Sequence, residues 1–279
     1  SRNILQQESG GKIKVIDSAP PAADEAFQPH SNRQEIKASL GLESYTIIGT
    51  VMRNQRRKLF PDLFRSFRQF LNETGRTDVL LYCHTSYPDL GWDIPKLLLQ
   101  HGLASKVLFT YVCRECGHSF PSFFNDSLMT CHNCGQLTAS MSSVQAGVDN
   151  KVLSNIYNIF DVYVQYANSE GFGIPVIEAA ACGTPVMAVD YSAMSDVVRK
   201  VGGRPMEPLE LSMELETGCY RAVPNNDDFI KLLKKITLLS APELQAWRES
   251  TRKAYEQHYN WDTTAKKWET YLDSVDANH

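Results

Sequence analysis

Between Tyr45 and Asp190, short apolar runs alternate with segments of helical spacing, and this alternation limits the fold more than any other feature of the chain. "YTIIGTV" (45–51), "DVLLYC" (78–83), "KVLFTY" (106–111), "VYVQYA" (162–167) and "PVMAVD" (185–190) read as buried strands. Among the segments between them, "LFPDLFRSFRQFL" (59–71) carries apolar residues at 60, 63, 64, 67, 70 and 71. That is a helix face, with Pro61 suited to the first turn and Gly75 just past the end. "IPKLLLQHG", "NKVLSNIYNIFD" and "PVIEAAAC" read as further helices. Strands separated by helices pair in parallel through right-handed crossovers, so an α/β fold is expected: a doubly wound, Rossmann-like parallel sheet. Beyond about residue 225 the text becomes helical throughout. "DSAPPAADEAFQPHSNRQE" (17–35) is rich in proline and reads as extended. The expected parts are an extended lead-in over 1–40, a Rossmann-like domain over 41–111 and 141–279 with its C-terminal helices, and an insertion over 112–140.

The insertion carries four of the seven cysteines. "CRECG" and "CHNCG" are two C-x-x-C-G turns separated by 14 residues. The two-residue spacing lets a pair of thiolates converge on one ion, and the glycine after each pair supplies the positive φ such a turn needs. Cys113, Cys116, Cys131 and Cys134 thus suit a closed tetrahedral Zn²⁺ site, structural rather than catalytic. Paired disulfides, a rubredoxin-like iron site or a redox C-x-x-C fit the spacing and glycines less well. So small a ribbon has little core of its own, so the metal is expected to supply most of its folding energy. Cys83 and Cys182 read as small core residues.

Charge and hydropathy narrow the partners. A net charge of −4 argues against nucleic acid. No stretch approaches the run of about 18 apolar residues that a membrane span needs. The N-terminal "SRNILQQESGGKIK" lacks an apolar signal-peptide core, so a cytoplasmic location is expected.

"EGFGIPVIEAAACG" is the stretch with a ligand-binding character. Pro175 fits the first turn of a helix, and Gly171, Phe172, Gly173 and Ile174 place backbone amides at its N-terminus, where the helix dipole also favours an anion. Glu170 and Glu178, with seven residues between them, flank that bend and are placed to hold different parts of one elongated ligand. "VMRNQRRK" follows the first strong strand, and in a doubly wound sheet the loops after the strands gather where ligands bind. Arg53 and Lys58 in that loop, with the amides of 171–174, are expected to neutralise a diphosphate without a catalytic divalent metal.

At these residues the sequence resembles the retaining glycosyltransferases of GT-B architecture, of the glycosyltransferase family 4 type. The resemblance rests on the E-x7-E block "EGFGIPVIE" and its continuation "AAACGTPVMA", with "GTVMRNQRRKLFPDL", "IYNIFDVYVQYANSEG" and "ETGCYRAVPNNDDF". It implies the C-terminal, donor-binding half of a GT-B fold, with a zinc ribbon inserted. By that likeness Glu170 contacts hydroxyls of the donor sugar, Glu178 the ribose of the nucleotide, and the amides of Gly171–Ile174 the diphosphate. Arg53 and Lys58 stabilise the phosphate as it leaves. The donor is a nucleotide-diphosphate sugar of unspecified base. The acceptor domain that precedes this half in the family is not recognisable here, so the chain reads as part of a larger enzyme. The ribbon interrupts the family pattern after "KVLFTY", where the family's chain passes near the nucleotide base, so it is expected either near the donor cleft or as a surface decoration. The alternative is a non-catalytic GT-B-like module that binds a protein through its ribbon; a nucleotide-sugar epimerase fits the paired glutamates less well.

Overall fold

The computed structural model describes residues 2–13 and 18–276; residues 14–17 of the expected lead-in lie outside it. The chain begins with α1 (Arg2–Glu8) and α2 (Arg33–Ser39). It then alternates β1 (Thr46–Val51), α3 (Phe60–Thr74), β2 (Val79–His84), α4 (Ile94–His101) and β3 (Val107–Cys113). Three short strands follow: β4 (Ser119–Phe123), β5 (Met129–Thr130) and β6 (Leu137–Met141). Alternation resumes with α5 (Asn150–Ile159), β7 (Val162–Gln165), α6 (Ile174–Ala181), β8 (Val186–Val189), α7 (Ala193–Lys200) and β9 (Arg204–Met206). A hairpin of β10 (Pro208–Glu214) and β11 (Cys219–Pro224) leads into α8 (Asn226–Ile236), α9 (Ala241–His258) and α10 (Trp261–Asp276).

The strands β3-β2-β1-β7-β8-β9 lie side by side and all pair in parallel, as the alternation predicts. The helix α3 shows why the pattern was readable. Phe60, Leu63, Phe64, Phe67, Phe70 and Leu71 are all buried, and each such side chain contributes roughly 1.5–3 kcal/mol on burial. Gly75 caps the helix in the left-handed region at φ 64°. In β1, Gly49 is required by packing: a Cβ there would lie 2.0 Å from Cδ2 of Phe160.

One expectation needs correction. The lead-in over 1–40 is not extended throughout, because it contains α1 and α2. The helix α2 is held by long-range charge. Arg33 and Lys37, four apart and so on one helix face, both contact the carboxylate of Asp161, Lys37 at 3.0 Å. The amide of Ile47 donates to the same carboxylate at 2.8 Å. Nothing in the local sequence announces a partner more than a hundred residues away. The insertion over 112–140 is joined to the main sheet. Strands β4 and β6 both pair antiparallel with β3 and extend the main sheet. Residues Ala23–Tyr255 form one compact unit that includes the ribbon. Ser1–Ala22 with Glu256–His279 form another, in which Thr264 and Lys267 of α10 donate to the carbonyls of Pro20 (2.5 Å) and Ser18 (2.7 Å).

Candidate functional site

A cavity of about 530 Å³ opens at the carboxyl ends of the parallel strands. Its walls are Val51–Arg53, Arg57 and Lys58 after β1; His84–Ser86 at the end of β2; Ser142–Val144 and Gly147 after β6; and Glu170 with Phe172–Pro175 at the start of α6. This is where a doubly wound sheet collects its loops.

Glu170 is the electrostatic centre of that cavity. One carboxylate oxygen accepts from Arg57 Nη1 at 2.8 Å, and the other contacts Lys58 Nζ and accepts from Gln165 Nε2 at 2.7 Å. Its own amide donates to Ser192 Oγ at 2.9 Å. Ser192 has φ 54°, the one positive φ at a non-glycine residue among the described residues, so backbone strain is spent on holding this contact. Burial, followed by the Arg57 charge, pushes the Lys58 ammonium down to about 7. The Glu170 carboxylate opposes that shift, but its charge is shared with Arg57. Arg53 lines the same cavity, yet its guanidinium is turned onto Asp89 in a two-pronged pair of 2.8 and 3.2 Å. That bond and a second from Ser86 keep the Asp89 carboxyl well below the usual carboxylate range. Of the two expected cations, Lys58 therefore meets Glu170 directly and Arg53 stands at the rim. Arg57, not singled out from the sequence, is the second cation on the carboxylate. Its neighbour Lys58 was the nearest signal for it.

The start of α6 has the expected form. Gly173 is the N-cap at φ 91°, a region that favours glycine, and it makes no side-chain capping bond. Pro175 lies in the first turn, so the first-turn amides have no capping side chain as acceptor. Phe172, Gly173 and Ile174 line the cavity, and Gly171 lines an adjoining hollow with Arg57, Tyr191, Ser192 and Arg221. Glu178 is placed differently from Glu170. It is half-buried one turn along α6, accepts from Tyr157 OH at 2.8 Å, and is not among the residues lining the cavity. Burial pushes its carboxyl upward, partly offset by the Tyr157 hydroxyl.

Three wall residues carried no recognisable sequence signal. His84 bonds through Nδ1 to Thr110 Oγ1 at 2.9 Å, and burial lowers it to about 4, so it is neutral near pH 7. Thr85 is 3% exposed, and its hydroxyl has no hydrogen-bond partner among the described residues. Ser142 reaches the wall from the cysteine segment.

The four ribbon cysteines converge. The Sγ atoms of Cys113, Cys116, Cys131 and Cys134 all lie within 4.8 Å of one another, with Cys113–Cys134 at 3.6 Å and Cys116–Cys131 at 3.7 Å. Four sulfurs in a tetrahedron about 2.3 Å from a central ion are separated by about 3.8 Å. Gly117 and Gly135 both sit at φ 72°, closing the two turns in the same way. His118 and His132 stack on Phe120 at centroid distances of 6.0 and 4.4 Å and do not join the cluster. Cys83 and Cys182 are buried, as expected.

Residues 141–254 match the sequence model of the family described as Glycosyl transferases group 1. The chain is 22% identical over 262 residues to a D-inositol 3-phosphate glycosyltransferase of Rhodococcus erythropolis, covering 94% of this chain and 49% of that protein. Sucrose-phosphate synthase from Thermosynechococcus elongatus superposes with a TM-score of 0.69 at 16% identity, covering 99% of this chain and 57% of that one. Anabaena HepE, solved in complex with UDP, superposes with a TM-score of 0.67 at 13% identity, covering 96% and 60%. The fold is that of the Rossmann-like C-terminal domain of the GT-B architecture, and the group 1 glycosyltransferase model matches residues 141–254 of it. The chain spans about half the length of the Rhodococcus relative. Among the described residues, no helix is long and apolar enough to cross a membrane.

Proposed function

We propose that this chain is the donor-binding half of a retaining glycosyltransferase of the family 4 type, with a nucleotide-diphosphate sugar as donor. The observation that carries this reading is one arrangement: Glu170, bonded by Arg57 and Lys58, directly precedes the uncapped N-terminus of α6 in a cavity at the strand ends. The diphosphate lies on the amides of Gly171–Ile174 and takes the charge of Lys58 and Arg57, with Arg53 at the rim, so no catalytic divalent metal is needed. Glu170 yields part of its bonding to sugar hydroxyls, and Glu178 binds the ribose once the ligand competes with Tyr157. Transfer breaks the anomeric C–O bond to phosphate and forms one from the acceptor oxygen on the same face. The departing phosphate oxygen takes the acceptor proton. A second domain supplies the acceptor, which accords with a chain about half the length of its Rhodococcus relative.

The four-cysteine cluster holds a structural Zn²⁺ in this reading, since the sulfur separations of 3.6 and 3.7 Å fit its bond lengths. Four cysteines in two C-x-x-C pairs suited to metal ligation fit a reducing compartment, in keeping with action in the cytoplasm. The non-catalytic alternative is less well supported, because the ribbon is built into the sheet that forms the cavity rather than held out from it.

The test is calorimetric titration with UDP-, GDP-, ADP- and dTDP-sugars in the absence of magnesium. Saturable binding to one nucleotide supports the donor reading; no binding by this chain or by a longer one carrying the second domain overturns it. The variant Glu170→Gln is expected to spare the bare nucleotide and to weaken the nucleotide-sugar by about 1–2 kcal/mol through lost hydroxyl bonds. Equal loss for both ligands removes its sugar role.

A further inference from the structure

None of the four cysteines lines the cavity, yet an unbroken path of backbone hydrogen bonds joins the cluster to its wall. Cys113 is the last residue of β3, and β6 runs antiparallel beside it in the register Cys113↔Ala139, Val112↔Ser140 and Tyr111↔Met141. Thr138 Oγ1 lies 3.1 Å from Cys113 Sγ. The residues of β3 nearer its start, Val107–Phe109, pair with β2 instead, so β6 continues the line of β2 beyond its end. Ser142, the next residue after β6, therefore arrives where β2 leaves off. Its amide donates to Thr110 O at 2.9 Å, its carbonyl accepts from Tyr87 N at 3.0 Å, and its hydroxyl donates to Thr85 O at 2.8 Å. The following turn is closed by Ser143 N to Ala146 O at 3.0 Å and Ala146 N to Ser143 Oγ at 3.1 Å.

Beyond its antiparallel pairing with β3, little besides the cluster holds β6 in place. Its partner β5 has two residues, Leu137 is 60% exposed, and of its five residues only Ala139 and Met141 are buried. In such a segment the free energy of metal binding is the free energy of folding. At the far end of the path, the unpartnered hydroxyl of Thr85, 3% exposed on the cavity wall, marks a place for a ligand's polar atom.

We propose that metal in the four-cysteine cluster sets the cavity wall through β6 and Ser142, so that a nucleoside diphosphate binds only when the cluster is loaded. The identity of the ligand rests on the donor reading above; the coupling between cluster and wall does not.

The experiment compares the zinc-loaded chain with the same chain stripped by chelator under reducing conditions, using amide hydrogen exchange and titration with UDP, GDP and ADP. Stripping is expected to raise exchange over 137–147 and 85–87, to leave β1, β7 and β8 protected, and to abolish nucleotide binding until zinc is restored. Equal exchange at 85–87 and 142–147 in both forms overturns the coupling, as does equal affinity. If neither the loaded chain nor a longer one carrying the second domain binds nucleotide, the donor reading fails while the exchange data still decide the coupling. Should stripping unfold β1, β7 and β8 as well, the loaded Ser142→Ala variant serves instead. At unchanged zinc content it is expected to expose Thr85 and Ser86 to exchange and to weaken binding about threefold to tenfold, the worth of one hydrogen bond. No change in either overturns the proposal.

Discussion

On the donor-binding proposal, Lys58 is the residue expected to make binding most sensitive to pH. Its side chain is 6% exposed, and burial with the Arg57 charge holds it at about 7, well below the ordinary lysine range. A bound diphosphate favours the ammonium and raises that value, so binding takes up a proton whenever Lys58 starts neutral. Affinity for UDP is therefore expected to be flat below pH 7 and to fall as pH rises above it, approaching about tenfold per pH unit until the bound-state value is reached. The variant Lys58→Arg, charged at every accessible pH, is expected to lose this slope. Titrations at a series of pH values from 6 to 9 check it; a slope unchanged in the arginine variant assigns the proton elsewhere. Glu170 at the same spot holds both cations, Arg57 at 2.8 Å and Lys58 in direct contact.

At the scale of single elements, α2 and β6 share one property: each is placed by partners remote in sequence. The helix α2 has seven residues and no side-chain capping bond at Asn32, too little to persist alone. It is anchored by Asp161. Burial pushes the carboxyl of Asp161 up, but Arg33, Lys37 and the Ile47 amide together hold it below the usual range. The stability it contributes is thus complete above the carboxylate's unfolded value and is lost as pH falls through the folded one. The variant Asp161→Asn leaves two buried cations without their counter-charge and is expected to cost about 3–5 kcal/mol in chemical denaturation. A cost under about 1 kcal/mol, the level of exposed pairs, shows the pair to be dispensable.

For the molecule as a whole, the placement of the ribbon sets how the metal enters stability. An insertion with its own core melts by itself; one whose strands pair with β3 supports the main sheet, so its loss weakens what remains. Stripping zinc is therefore expected to lower the midpoint of the main calorimetric transition and of any ligand-bound form. A separate low-temperature transition with the main midpoint unmoved contradicts this.

Much of the fold was legible in the residues. Continuous apolar runs wrote β1, β2, β3, β7 and β8 and their parallel pairing into the sequence, because a strand buried on both faces is apolar throughout. The glycines and Pro175 wrote the start of α6, because few other residues meet that backbone geometry, and the C-x-x-C-G spacing wrote the two cysteine turns. The rest was decided in three dimensions. No local pattern tells α2 that Asp161 waits beyond β1, turns Arg53 onto Asp89 while Arg57 takes Glu170, or carries Ser142 from a cysteine ribbon to the wall of the cavity. These are pairings of charges and strand edges between distant segments. Residue types fix which bonds such groups can make, and only the packed sheet fixes which partner comes within 3 Å.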